Sequence, residues 1–339
     1  KNDEQAYLAY SDTFALASAQ LYQKLVATFK NELPEKLIVV PDGKLNYIPF
    51  DALLLELPEV NHHFQSHAYL LKDHQISYSY SATLLEEISN KKSKASKSLL
   101  AFAPTFGKND QFITTLESPK GELGRLEYNI FEVERIRTIL GGDIFSGEKA
   151  TKENFTQLAA NYHILHLATH GKANDKVGDY SYLAFSGIED SIENEFLYVR
   201  DLYNLKLNAD MVVLSACETG IGELQRGEGV ISLARGFFYA GAKSIITTLW
   251  SVDDEKSMEL MELFYKNISK GMKKDEALRK AKLDYLEQHS HFESHPFIWA
   301  GYVPLGNMEP VNLKNQFARL MTYGLIALGV FLLLFWLYK

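Results

Sequence analysis

A chain of 339 residues, 46% of them hydrophobic, can bury one large core or two modest ones, which excludes disorder and collagen-like repetition. A formal net charge of −8, with no basic stripe interleaved with aromatics, removes direct nucleic-acid binding from the functions to consider. The single cysteine excludes an intramolecular disulfide and suits a reducing compartment.

The chain opens on Lys1-Asn2-Asp3 without the apolar core or cleavage site of a secretory signal, and it reads as the continuation of a longer protein. Residues 5–32 carry Leu8, Phe14, Leu21, Leu25 and Phe29 at helical spacing, so residues 1–34 form an N-terminal helix that fits the end of an upstream helical region. The period then changes. Leu37 to Val40 reads as a strand, Pro41-Asp42-Gly43 as a turn, and Leu45 to Ile48 as the returning strand of a hairpin. "AYLLKDHQISYSYSATLL" adds further strand before a helix with Ser81 as its N-cap, and the Lys/Ser-rich residues 89–98 read as a solvated loop.

From Leu99 onward, strands and helices alternate: "SLLAFAP", a helix over Tyr128 to Leu140, "DIFSG", a helix from Thr151, and "YHILHLATHG". The series continues with "MVVLSAC", a helix over Gly229 to Ala240, "AKSIITTLW", and helices over Glu255 to Lys270 and Lys274 to His289. This alternation predicts an α/β fold with a mostly parallel sheet covered by helices on both faces.

After a linker over residues 307–319, residues 320–338 carry no charge. At about 1.5 Å per residue, such a helix covers nearly the ~30 Å of a bilayer's hydrocarbon core, so the stretch reads as a transmembrane helix. Tyr323, Trp336 and Tyr338 fit interfacial positions. Lys314 and Arg319 precede the span and favour a cytoplasmic main body, with Lys339 at the far end. The expected location is the inner (plasma) membrane, crossed once.

In open parallel sheets, ligand sites lie where strands end at their carboxyl side. Two strands here end in reactive residues: Tyr162 to Thr169 leads into His170-Gly171, and Met211 to Ala216 leads into Cys217. A thiol is the most nucleophilic side chain near neutral pH, and a neighbouring imidazole can take its proton or protonate a leaving amine. Gly171, without a Cβ, and Cys217 can each offer a backbone N–H to an oxyanion. On pattern alone, Cys217 reads as a small core residue more readily than as a nucleophile. His163 and His166 read as structural, and a metal site of His166, His170 and Cys217 lacks a further ligand at familiar spacing. No metal and no cofactor are expected.

The blocks "HILHLATHG", "VVLSACETG", "RGEGVISLARGFFYAGAKSIITTLWSVDD" and "HPFIWAGYVPLG" resemble the CHAT domain, a caspase-like and separase-like cysteine peptidase module, and the likeness spans residues 35–306. The resemblance implies a caspase–haemoglobinase type fold with His170 as catalytic histidine and Cys217 as nucleophile. It also implies that "TTLWSVDDE" shapes the pocket for the residue before the scissile bond. There Asp253 or Asp254 can recognise lysine or arginine, with Trp250 as a pocket wall; both acids also suit the start of a helix. Arg226 to Gly229 forms a glycine-rich loop suited to reorganising on activation.

Family members commonly follow TPR repeats that sense a partner, and some act in bacterial defence. The resulting expectation is a regulated, membrane-anchored cysteine endopeptidase acting on a specific protein partner. The rival is a catalytically silent caspase-like scaffold that recruits partners to the membrane.

Overall fold

The computed structural model describes residues 2–60, 63–106, 126–172, 174, 177–187, 196–215 and 229–313. Residues 320–338 lie outside the described residues, and among the described ones no helix is long and apolar enough to cross a membrane.

The apolar runs become strands β1 (Lys36–Val39), β2 (Gln75–Tyr78), β3 (Lys97–Ala103), β4 (Asp143–Ser146), β5 (Tyr162–Leu167), β6 (Gly171–Lys172), β7 (Tyr182–Ala184), β8 (Phe196–Tyr198), β9 (Met211–Leu214), β10 (Ser244–Thr248) and β11 (Tyr302–Gly306). The helices are α1 (Asn2–Leu25), α2 (Leu70–Asp73), α3 (Ala82–Asn90), α4 (Asn129–Leu140), α5 (Lys152–Leu158), α6 (Val199–Leu202), α7 (Gly229–Ala240), α8 (Asp254–Ser269), α9 (Lys274–Gln288) and α10 (Pro296–Trp299). Ser81 and Thr151 cap α3 and α5 by accepting from Leu84 N–H and Asn154 N–H.

The main sheet has the order β1-β2-β11-β10-β9-β5-β3-β4. Every neighbouring pair is parallel except β10 with β11, so the expected mostly parallel α/β sheet is present. Because β5 and β9 are buried on both faces, they read as continuous apolar runs rather than alternating ones. One face packs on Phe155, Leu202 and Phe237 from α5, α6 and α7; the other packs on Val133, Met261 and Ala281 from α4, α8 and α9. Gly241 turns α7 into β10 at φ 117°, where an added Cβ would meet the Leu207 carbonyl at 2.4 Å.

Two departures from the sequence reading matter. The hairpin at residues 37–48 does not form: β1 pairs in parallel with β2, and Gly43–Tyr47 is a 3₁₀ turn. The segment closes its hydrogen bonds locally, Leu45 N–H to Asp42 O and Ile48 N–H to Leu45 O, and then carries Phe50 and Asp51 inward. The second departure is a small sheet, β6-β7-β8, too short in each strand to leave a period in the sequence.

The N-terminal helix joins the core of the domain. Ala15 and Ala19 pack on one side and Tyr22 on the other, while Ser18 Oγ donates to Ala52 O at 2.7 Å and accepts from Leu54 N–H at 3.0 Å.

Two lysines are buried in this frame. Lys282 donates to Asp51 and to the Tyr302 carbonyl at 2.6 Å, and its side chain is fully buried. Burial lowers its pKa, opposed by the Asp51 charge. Truncating one member leaves a buried charge without its partner, so Asp51→Ala is expected to cost about 3–5 kcal/mol. The double change Asp51→Leu/Lys282→Met should cost far less, and urea-unfolding midpoints of the three variants measure the contrast.

Lys274 donates to the Asn307 carbonyl at 2.9 Å, and burial pulls its pKa from 10.5 down to about 8. Between these values the unfolded chain holds the proton that the folded chain has released, so its contribution to stability rises with pH across that window and is flat above it. Lys274→Met should remove this rise, read as the unfolding free energy across the pH range bounded by those two values.

Candidate active site

The site is built on one register. β5 and β9 are adjacent and parallel, with Leu167 opposite Leu214. His170 therefore follows its strand at the same offset, three residues, as Cys217 follows its own. Cys217 itself lies outside the described residues, as do Arg226, Gly227 and Glu228. The last described residue before it, Ser215, is held firmly: its hydroxyl lies 3.2 Å from both Ser257 Oγ in α8 and Tyr302 Oη, and these two are themselves hydrogen bonded.

His170 is half-buried where β5 bends into β6. Four hydrogen bonds and one ring contact define that bend. Asn129, the first residue of α4, donates to Pro104 O at 2.9 Å and to Ala168 O at 3.2 Å, tying the ends of β3 and β5 together. Thr169 Oγ1 donates to Ala184 O at 2.5 Å, and Ala184 N–H donates to His170 O at 2.8 Å. The Phe106 ring rests against the imidazole with centroids 5.0 Å apart and planes tilted 56°.

Hydrogen-bonding direction alternates along an antiparallel strand. Since the His170 carbonyl faces β7, the buried Gly171 directs its N–H away from β7, toward the open edge of the small sheet.

The other histidines serve the framework. His166 is fully buried, with Nε2 2.9 Å from Glu132 Oε1 and Nδ1 3.1 Å from Tyr265 Oη. Burial, then the Glu132 charge, raise the Tyr265 pKa well above its ordinary value, so the phenol stays protonated. His163 Nδ1 lies 2.6 Å from Asp210 Oδ2, at the start of the strand. Among the described residues, no three His, Cys, Asp or Glu side chains are grouped to hold a metal ion.

Beyond β10, Trp250 Nε1 donates to Phe297 O at 2.7 Å, the two rings stack at 5.6 Å, and Gly301 leaves room for the indole, 3.1 Å from where its Cβ would stand. Asp253 is exposed and is the N-cap of α8, accepting from Lys256 N–H at 3.0 Å, while Asp254 is the first residue of that helix. One Asp253 oxygen is thus committed to the helix, and the carboxylate's charge remains at the surface beside the strand end. Asp210 and Lys243, paired at 2.7 Å, lie with His163 at the opposite end of the sheet.

This arrangement can be compared with known proteins. The CHAT domain model matches residues 16–307. The chain belongs to the CHAT domain family. Mouse tetratricopeptide repeat protein 28 is 31% identical over 120 residues, which is 35% of this CHAT chain and 5% of that protein. Among solved structures, the Arg specific cysteine proteinase gingipain R aligns with TM-score 0.50 and 11% identity, over 88% of this chain and 68% of that one. The Saccharomyces cerevisiae separase–securin complex aligns with TM-score 0.48 and 13% identity, over 80% of this chain and 15% of that one. The mixed α/β fold with a mostly parallel sheet is therefore shared with gingipain R.

Asn129, Thr169, Ser215 and Phe106 escaped the sequence reading, because a polar residue that serves a neighbouring carbonyl leaves no period and no motif. Thr169→Val is expected to cost about 1 kcal/mol and Asn129→Ala about 1–3 kcal/mol, since the latter strips two buried carbonyls of their donor. Chemical denaturation of each variant measures this.

Proposed function

We propose that this CHAT domain is a cysteine endopeptidase acting through His170 and Cys217. The observation that carries the reading is the β5–β9 register, which runs the two chain segments leading to these residues side by side. The fold shared with a cysteine proteinase supports it.

In this mechanism the Cys217 thiolate attacks the scissile carbonyl carbon, forming a C–S bond, while the N–H groups of Gly171 and Cys217 receive the oxyanion. The C–N bond then breaks as His170 gives a proton to the departing amine. A water that loses its proton to His170 attacks the thioester, and Cys217 leaves as thiolate. The surface charge of Asp253 or Asp254, beside the Trp250 wall, selects lysine or arginine before the cut.

The reading extends to the rest of the protein through the sequence. Residues 320–338 anchor the chain to a bacterial inner membrane, with the domain on the cytoplasmic side. A tetratricopeptide region upstream, as in the mouse relative's name, regulates the activity, in a defence role for the bacterium.

The test uses the full chain with the proteins encoded beside it in the genome as substrates. Cutting should be abolished in Cys217→Ala and His170→Ala. Cutting that survives both overturns the dyad, and partner binding without any cutting favours the scaffold. Asp253→Asn keeps the cap and removes the charge, so it should lower kcat/KM after basic residues about tenfold or more while leaving the unfolding midpoint unchanged.

A further inference from the structure

The two ends of the main sheet differ in chemistry. β3, β5, β9 and β10 begin at one end and run toward the candidate site at the other. Residues 306–308 return to the end where these strands begin. Gly306 pairs with Ser244, the first residue of β10, Asn307 N–H donates to the Lys243 carbonyl at 2.9 Å, and Lys274 N–H donates to Met308 O at 3.0 Å.

Lysines gather at this same end. Lys91, Lys92 and Lys94 are exposed in the segment that joins α3 to β3. Ser93 pins that segment by donating to Asn208 O at 2.5 Å, and Ser96 N–H donates to Asn161 O at 3.0 Å, just before β5. Lys206 is exposed two residues before Asn208, and Lys97 is exposed at the start of β3. Two acids here are already matched, Asp143 by Lys97 at 2.9 Å and Asp210 by Lys243 at 2.7 Å. Lys91, Lys92, Lys94 and Lys206 come in addition to those pairs. Glu86 and Glu87 lie a turn back along α3, and Glu276 lies to the side, in the first turn of α9.

Exposed tyrosines stand beside the lysines. Leu207 N–H donates to Ala240 O at 2.7 Å, which brings the last turn of α7 to Lys206. There Tyr239, 72% exposed, packs edge-on against Tyr203 with ring centroids 5.0 Å apart. Tyrosine rings suit the headgroup level of a bilayer, and clustered lysines suit anionic headgroups. The long internal segments outside the described residues leave and rejoin elsewhere: after β3 and before α4, after β9 and before α7, and within the small sheet beside His170.

The chain length then places this end. Leu320, where the uncharged run begins, follows Leu313 by seven residues, which span at most about 25 Å. Residues 314–339 add Lys314, Arg319 and Lys339 and contain no acid.

We propose that the end of the sheet bearing Lys91, Lys92, Lys94 and Lys206 rests on the anionic lipid surface of the membrane that residues 320–338 enter. The anchored reading of those residues supplies the occupant. Charge supplies the orientation: a domain from a chain of net charge −8 is repelled by anionic lipid unless it turns its lysine-bearing end to it. β5 runs from that end, and His170 follows Tyr162 by eight residues at about 3.3 Å each. The candidate site therefore faces away from the lipid at a height of about 25 Å, and a protein partner must present its susceptible segment at that height.

The test places the full chain in nanodiscs of phosphatidylcholine alone and of phosphatidylcholine with about one third phosphatidylserine, acetylates it briefly, and maps the modified lysines by mass spectrometry. In the anionic discs, acetylation of Lys91, Lys92, Lys94, Lys97 and Lys206 should fall roughly fivefold, and added salt should reduce the difference. Lys149, exposed just beyond the carboxyl end of β4, should be unchanged. In Lys91→Glu/Lys92→Glu/Lys94→Glu/Lys206→Glu, the protection of Lys97 should vanish. Equal acetylation in the two discs overturns the lipid-facing surface. The anchor is read separately, as retention on phosphatidylcholine vesicles through an alkaline carbonate wash. A chain that the wash strips, but that binds anionic vesicles unless the four lysines are changed, supports the surface and overturns the anchored reading instead.

Discussion

The pairing of β5 with β9 is the constraint on which the rest depends. Parallel neighbours finish at the same end of a sheet, so a single register decides that the chain leaving Leu167 and the chain leaving Leu214 emerge together. Everything around the pair serves to hold it. Asn129 clamps the neighbouring strand end, Ser215 is tied by hydroxyls to α8 and β11, and His166 is fixed from behind by α4 and α8. Moving one strand by a single residue would invert its faces and separate the two exits.

Where burial alone decided the outcome, the sequence was readable. Mostly apolar runs gave β3, β5, β9 and β10, and the longer stretches between them gave α4, α7, α8 and α9 close to their observed limits. The position of His170 just past the end of β5 was legible because a polar residue at a strand end stands out against apolar neighbours. What escaped were features set by partners distant in sequence. Whether Leu45 to Ile48 returns as a strand depends on whether the chain instead carries Asp51 to Lys282, and that pairing spans most of the domain. The small sheet was hidden for a related reason: two or three residues per strand carry no period, and only their mutual register gives them faces.

The buried charges divide the molecule by function. Lys274, Lys243, Asp210 and His163 gather where the central strands begin, and Lys282 with Asp51 joins α9 to the segment before β2. In both groups each carboxylate meets a cation, Asp210 with Lys243 and Asp51 with Lys282, as charges in a framework should. Lys91, Lys92, Lys94 and Lys206 are the reverse, exposed at the surface.

The seating of α1 bears on where this domain can be shortened. Family similarity begins at residue 16, within that helix, and Ala15, Ser18, Ala19 and Tyr22 are already core residues. An excision at residue 35, where the strand signal starts, would leave the Ala52 carbonyl and the Leu54 N–H without Ser18 and open a groove in the surface. The same serine grips the chain immediately next to Asp51, so a change that unseats α1 is felt at the buried Asp51–Lys282 pair, on the far side of the sequence.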